Sequence, residues 1–153
     1  MKKRDAIKMT EEERRKFLEE ARTMILVSNG RDGYPHPVPM WLVIREGKPL
    51  MSTYATSQKV LNLRRDPRVT ALVEAGEQYD ELRGVMIRGK AEIVEERPLV
   101  EDVQVAFARK YMAGPFPEGA EELIRARAAK RVAIRIVPER VTSWDHAKLG
   151  GGY

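Results

Sequence analysis

The sequence predicts a mainly β domain in which six antiparallel strands close into a small barrel with peripheral helices. Apolar, β-rich segments follow one another through short turn signals, so strands are joined as consecutive hairpins and not through crossover helices. The 153 residues contain no repeat and no low-complexity linker. Both observations favour a single domain over residues 1–153.

The strands are placed by β-rich or alternating apolar runs that end at Gly, Pro, Asn or Asp. In chain order they cover residues 23–28, 37–44, 50–53, 69–75, 84–95 and 131–137. The first two are separated by Asn29-Gly30 and Asp32-Gly33, which predict a hairpin. Residues 140–144 can extend the last strand past Pro138.

Three or four helices are placed by capping signals and helical spacing. They cover about 11–21, 57–65, 98–112 and 120–129. Thr10 and Glu13 fit a capping box for the first helix, and Pro98 suits the first turn of the third. Outside these elements we expect a flexible N-terminus, residues 1–9, and a C-terminal tail, residues 145–153.

Composition limits the function classes. The chain is 42% apolar and 33% charged, which is enough for a core under a charged surface. The absence of cysteine excludes disulfides, thiolate metal sites and cysteine nucleophiles.

No segment has the length and apolarity of a membrane span or a signal core, so we expect a cytoplasmic protein without a membrane partner. The net charge of +5 lies in short, interrupted basic runs, which fits an anionic ligand and argues against nucleic acid.

The segment from Thr53 to Lys59 has the parts of a phosphate site. A strand end leads into a helix start that carries hydroxyl groups, free backbone amides and an ammonium group. Lys59 falls in the first helical turn, where its charge opposes the helix dipole unless an anion is bound. The alternative is an ordinary N-cap at Ser57 beside a solvated lysine.

The segment from Pro35 to Trp41 has proline at every second position of a predicted strand. Proline cannot donate to a β-ladder, so this strand lies at a sheet edge or contains a bulge. Its free carbonyl and amide groups could contact a planar ligand, and a covered sheet edge is the alternative.

Standard catalytic motifs are absent. The sequence has no dinucleotide-binding glycine motif, no Walker loop and no nucleophile elbow. His36 and His146 have no ligand spacing, so we expect no metal site. If the protein is an enzyme, a bound organic cofactor supplies its reactivity. Tyr79, His36 or a solvent water could protonate a reduced substrate, and the sequence assigns no catalytic residue.

Four segments together resemble the split β-barrel flavin and deazaflavin oxidoreductases, relatives of pyridoxamine 5'-phosphate oxidase. These are Pro39-Met40-Trp41, residues 59–69, residues 79–89 and Ser143-Trp144-Asp145-His146. The resemblance covers nearly the whole chain. It implies an FMN-binding split barrel of six strands that forms a homodimer with two cofactor sites at the interface.

The resemblance also implies site residues. Ser57 and Lys59 would bind a cofactor phosphate with Thr53 nearby, while Val38, Pro39, Met40 and Trp41 would lie along the flavin or deazaflavin ring. Residues 59–69 and the Trp-Asp-His tail look most like the branch that uses coenzyme F420, an 8-hydroxy-5-deazaflavin. The arginine and histidine that hold the substrate in vitamin B6 oxidases have no counterpart, so we do not expect that activity.

Three function classes follow. The first is an oxidoreductase that transfers hydride from reduced F420 to a small or planar unsaturated acceptor. The second is an FMN-binding oxidoreductase of the same fold. The third is a non-catalytic barrel that binds flavin or heme, or no cofactor at all.

Overall fold

The computed structural model describes residues 3–150. Seven strands form its sheet: β1 Met24–Asn29, β2 Pro35–Met40, β3 Val43–Arg45, β4 Lys48–Tyr54, β5 Arg68–Ala75, β6 Arg83–Val94 and β7 Arg131–Asp145. Five helices accompany them: α1 Lys3–Ala6, α2 Glu11–Glu20, α3 Gln58–Arg65, α4 Arg97–Tyr111 and α5 Ala120–Ala126. Short 3-10 turns occupy Tyr79–Glu81, Arg127–Lys130 and His146–Leu149. Within residues 3–150, no helix is long and apolar enough to cross a membrane.

The strands form one antiparallel sheet in the order β2-β1-β5-β6-β7-β4-β3. Its two edge strands, β2 and β3, are neighbours in sequence and are separated only by Trp41 and Leu42. A flat sheet of seven strands would be about 29 Å wide, whereas the three Cα steps from Met40 to Val43 span about 11 Å at most. The sheet must therefore curl until its two edges approach each other. This confirms the predicted mainly β, antiparallel fold.

The number of strands differs from the prediction. Residues 37–44 were expected to form one strand, and they belong to two strands at opposite edges of the sheet. The chain changes edge at Trp41, which is 56% exposed, and Leu42, which is fully buried. Leu42 directs its N–H to the hydroxyl of Tyr111 in α4 and not to a neighbouring strand. The prediction of six strands is therefore wrong.

The last strand continues through Pro138, in line with the possible extension over residues 140–144. The register between β6 and β7 shifts at this point, because Arg88 faces Arg140 and Gly89 faces Pro138. A bulge of this kind lets a proline lie inside a long strand without a missing ladder bond. A Cβ at Gly89 would lie 2.1 Å from the Val137 carbonyl oxygen, so only glycine allows this close approach.

The core has two layers. Alternate residues of β1, β6 and β7 fill the inside of the curled sheet, with Met24, Val85 and Ile134 almost fully buried. A second cluster lies outside the sheet, where Val103 and Phe107 of α4 pack against β3, β4 and β7. Strand β4 is consequently buried on both faces, and this position places its C-terminal end beneath α4.

Both chain ends pack onto the sheet in the part that the structure describes. Met9, in the segment expected to be flexible, is buried, and its N–H donates to the Ser143 hydroxyl at 3.2 Å. The tail folds back onto its own chain, where His146 N–H donates to the Leu82 carbonyl and Lys148 pairs with Glu13 at 2.6 Å. Residues 1–2 and 151–153 of the two predicted terminal segments lie outside the described chain.

Candidate functional site

Thr53, Ser57 and Lys59 come together at the junction of β4 and α3. The Lys59 ammonium donates to the Thr53 hydroxyl at 3.1 Å, and the Thr53 and Ser57 hydroxyl oxygens are 3.3 Å apart. Thr53 is buried at the end of β4, whereas Ser57 and Lys59 are half-buried. The structure thus brings together the three side chains that the sequence singled out as a phosphate site.

The electrostatics of this cluster leave a positive charge without a counterion. No carboxylate of residues 3–150 lies within ion-pair distance of Lys59. Helix α3 has no acidic residue in its first turn, and Ser57 stands at the N-cap position without capping the helix through its side chain. Burial lowers the pKa of Lys59, since desolvation disfavours its charged form. A bound anion would compensate both the ammonium and the helix dipole.

Strand β2 lies at an edge of the sheet, which is one of the two positions that its prolines predict. Ser28, Leu26 and Met24 of β1 pair with the non-proline residues of β2, which are His36, Val38 and Met40. At the end of the same ladder, Gly30 N–H donates to Tyr34 O. Antiparallel ladders alternate bonded and non-bonded pairs, so every proline of β2 occupies a non-bonded position. The proline carbonyls therefore point away from β1, towards the open edge.

A groove of about 700 Å³ lies between this edge, the end of β4 and helix α4. Its volume is in the range of sites that bind cofactors or drug-sized molecules. The lining is mostly apolar with hydroxyl, amide and guanidinium groups, and it contains no carboxylate: Pro39, Met40, Trp41, Ser52, Thr53, Tyr54, Gln104, Phe107, Ala108, Tyr111, Met112, Ile124, Arg127 and Arg131.

Trp41 forms a wall of the groove that is held in place from one side. Its ring stacks on Tyr111 with centroids 4.3 Å apart and planes 7° apart, and Phe107 meets it edge-on at 6.4 Å. The Tyr111 hydroxyl is fixed in turn by Leu42, whose N–H donates to it at 2.9 Å. One face of the indole is thus covered, and the rest of the side chain is available to a planar ligand.

The predicted ring-binding residues divide into two groups. Pro39, Met40 and Trp41 line the groove together with Thr53, which joins the groove to the Lys59 cluster. Val38 does not line the groove, and its side chain packs against the core inside the sheet. The cofactor contacts themselves remain a prediction for all seven residues.

The possible proton sources do not line the groove. His36 lies in a separate cavity of about 320 Å³ beside Gln58, and Tyr79 packs against His146 at 4.6 Å. The described part of the chain holds no cluster of three or more His, Asp or Glu side chains that could bind a metal ion.

Sequence reasoning missed the wall that α4 and the following turn contribute. Phe107 and Tyr111 are four residues apart and so lie on one face of α4, a spacing that is typical of residues packed in a core. Gln104 and Ser52 also line the groove, and the Gln104 amide donates to the Ser52 hydroxyl. Arg127 and Arg131 also line the groove, and nothing in the local sequence distinguishes them from the other arginines of the chain.

Comparison with known proteins agrees with this architecture. A conserved hypothetical protein from Mycobacterium tuberculosis is 43% identical, with a TM-score of 0.92 over 100% of this chain and 95% of that one. An F420 reductase superposes with a TM-score of 0.65 at 21% identity, over 83% of this chain and 94% of that one. A FAD-binding protein from Mesorhizobium loti gives 0.65 at 21% identity, over 88% and 94%. The last two likenesses show a common fold. No curated protein matches the chain.

The family model described as pyridoxamine 5'-phosphate oxidase matches residues 10–145. The chain therefore belongs to this family of split-barrel proteins, which confirms the resemblance seen in its sequence segments.

Proposed function

We propose that this protein is an oxidoreductase that uses coenzyme F420 and transfers hydride to a small or planar unsaturated acceptor. The observation that carries the proposal is the uncompensated ammonium of Lys59, held by Thr53 beside the uncapped start of α3 and next to an aromatic-walled groove. This arrangement fits a ligand that has both a phosphate and a planar ring.

The residues suit such a cofactor in two places. Lys59, Thr53 and Ser57 offer an ammonium and two hydroxyl groups to a phosphate. Pro39 and Trp41 offer an edge of carbonyl groups and an aromatic wall to the ring system. Thr53 touches both regions, so a single ligand can occupy them together.

Reduced F420 supplies a hydride when it is bound, and the acceptor takes up that hydride together with one proton. The chain's own contribution is to bind and orient both molecules. Because Trp41 is stacked on Tyr111, the groove wall is fixed before the ligand arrives, which reduces the entropy lost on binding. We assign no side chain to the proton transfer, and solvent water is a sufficient donor.

F420 is favoured over FMN by residues 59–69 and the Trp-Asp-His tail, which look like the deazaflavin branch, and by a net charge of +5 that suits an acidic cofactor. FMN is the alternative, because its phosphate and ring would meet the same groups. We also propose that two chains form a homodimer with the cofactor site at the interface, as the family resemblance implies. We further propose a cytoplasmic location, because the sequence has no segment typical of a membrane span or a signal core.

Fluorescence titration of the purified protein with F420, and in parallel with FMN, tests this function. We expect tighter binding of F420 and a dissociation constant about tenfold higher for Lys59→Ala, which is the loss typical of one charged hydrogen bond. Lys48→Ala is the matched control, since Lys48 is a half-buried lysine at the opposite end of β4.

Tighter binding of FMN would replace the deazaflavin assignment with the flavin one. Equal losses in Lys59→Ala and Lys48→Ala would show that net charge, and not the Lys59 cluster, holds the phosphate. Failure to bind either cofactor would reject the proposed function.

A further inference from the structure

Two arginines that line the groove have no counterion in the described part of the chain. Arg127 lies in the 3-10 turn after α5, and Arg131 begins β7. Neither forms an ion pair or a side-chain hydrogen bond with any residue from 3 to 150, whereas Arg109, Arg125 and Arg135 each contact a carboxylate at 3.3, 2.9 and 3.1 Å. The two arginines that line the groove are thus unpaired within the described residues, while these three arginines elsewhere in the chain are paired.

Arg131 is held in position without using its hydrogen-bond donors. Its guanidinium carbon lies 4.4 Å from the centroid of the Tyr54 ring. A guanidinium stacked in this way engages its face, while its N–H groups lie in its plane and remain available. Planar forks of this kind match carboxylates particularly well. The stacking therefore presents a preoriented donor to the groove.

The same groove also has an apolar, partly aromatic wall. Trp41, Phe107 and Met112 line it, and Trp41 and Met112 are more than half exposed although they are large and apolar. Exposed apolar groups gathered in one concave site indicate a bound partner more than scattered ones do. No carboxylate lines the groove, so the charge of the arginines is not neutralised there.

From these features we infer that Arg127 and Arg131 form the anion-binding end of a substrate site, and that the substrate is a planar conjugated carboxylate. Its conjugated part lies along the aromatic wall and its carboxylate binds the two guanidinium groups. The assignment of this ligand as the substrate rests on the proposed oxidoreductase function, because the Lys59 cluster is left to the cofactor phosphate. The binding site itself does not depend on that function.

Isothermal titration calorimetry with 2-naphthoate and 2-naphthamide tests the site in the absence of cofactor. The two probes have the same ring system and differ in charge. We expect the wild-type protein to bind 2-naphthoate at least about tenfold more tightly than 2-naphthamide. Arg127→Gln and Arg131→Gln should each reduce this preference, and the double variant should abolish it without weakening the binding of 2-naphthamide.

Lys130→Gln is the matched control. Lys130 lies between the two arginines, is exposed and does not line the groove, so its replacement removes the same charge from the same turn. The preference for 2-naphthoate should be unchanged in this variant. Thermal unfolding of each variant verifies the fold, and Arg127→Gln carries the test if Arg131→Gln does not fold.

An F420 titration on the same variants separates this inference from the proposed function. Unchanged F420 binding in the arginine variants, together with a lost preference for 2-naphthoate, supports the substrate site. Weakened F420 binding would overturn it, because the arginines would then serve the cofactor. Equal binding of the two probes to the wild-type protein, or an equal loss in Lys130→Gln, would also overturn it. If F420 does not bind at all, the proposed function fails. The preference for 2-naphthoate over 2-naphthamide still shows whether the two arginines form an anion-binding site.

Discussion

Replacing Tyr111 by Phe should destabilise the protein by removing the contact that fixes the connection between the two sheet edges. The Tyr111 hydroxyl oxygen lies 2.9 Å from the N–H nitrogen of Leu42 and 2.9 Å from the carbonyl oxygens of Leu42 and Arg22. One hydroxyl has a single proton, so it accepts from Leu42 and donates to one of the two carbonyls. Burial raises the pKa of Tyr111, which keeps the hydroxyl protonated at neutral pH.

The size of the stability loss depends on which backbone groups are left without a hydrogen-bond partner. In Tyr111→Phe the Leu42 carbonyl still accepts from the Lys110 ammonium at 2.9 Å. The Leu42 N–H loses its partner, and Leu42 is fully buried. An unsatisfied buried donor costs about 1–3 kcal/mol, so we expect a loss of about 2 kcal/mol in the free energy of unfolding. For a chain of this length that lowers the melting temperature by about 4–8 °C.

Urea denaturation followed by tryptophan fluorescence, together with thermal unfolding by circular dichroism, measures this loss. Tyr34→Phe is the control, because Tyr34 is 76% exposed and its hydroxyl has no partner among the described residues. We expect it to change stability by less than about 0.5 kcal/mol. Equal stabilities of the two variants would refute the role of Tyr111 in holding Leu42 and the adjacent Trp41.

Three further predictions concern charge and packing. Burial lowers the pKa of Lys59 below its usual 10.5. The affinity for F420 should therefore fall as the pH rises through this lowered pKa, whereas Lys59→Arg should keep its affinity over the same pH range. Parallel pH profiles of the two proteins would contradict this. Gly84→Ala should lower the free energy of unfolding, measured by urea denaturation, by about 1–3 kcal/mol, because the added Cβ would lie 2.3 Å from the Trp144 ring. If this variant is as stable as the wild-type protein, the Trp144 ring moves aside without cost. Hydrogen bonds from Arg68 hold the pKa of Asp66 well below its usual 3.8, so Asp66 stabilises the fold above pH 3.8 and this stabilisation fades as the pH falls further. The stability difference between wild type and Asp66→Asn should narrow in acid, and a constant difference would refute the ion pair.

The sequence predicted the parts of the fold that local signals determine. The capping box at Thr10 and Glu13 is present in the structure, and α2 begins at Glu11 as expected. The cluster of Thr53, Ser57 and Lys59 was predictable for the same reason, since seven consecutive residues form a strand end and a helix start. In such a segment the geometry of the turn sets which side chains meet.

Contacts between distant residues explain what the sequence did not show. Residues 40–44 are all apolar or β-favouring, and no turn residue marks the break between β2 and β3. The break is made by Tyr111, 69 positions after Leu42, which takes over the Leu42 backbone hydrogen bond. The groove wall at Phe107 and the free arginines depend on the same packing of α4, and a sequence pattern carries no information on where that helix docks.

A crystal structure of the protein with F420 bound tests the central claim most directly, because it locates the cofactor phosphate relative to named atoms. We expect a phosphate oxygen within about 3.2 Å of the Lys59 ammonium, close to the Thr53 and Ser57 hydroxyls, and the deazaflavin ring beside Trp41. A phosphate held elsewhere, for example by Arg127 and Arg131 with Lys59 left in solvent, would contradict the account.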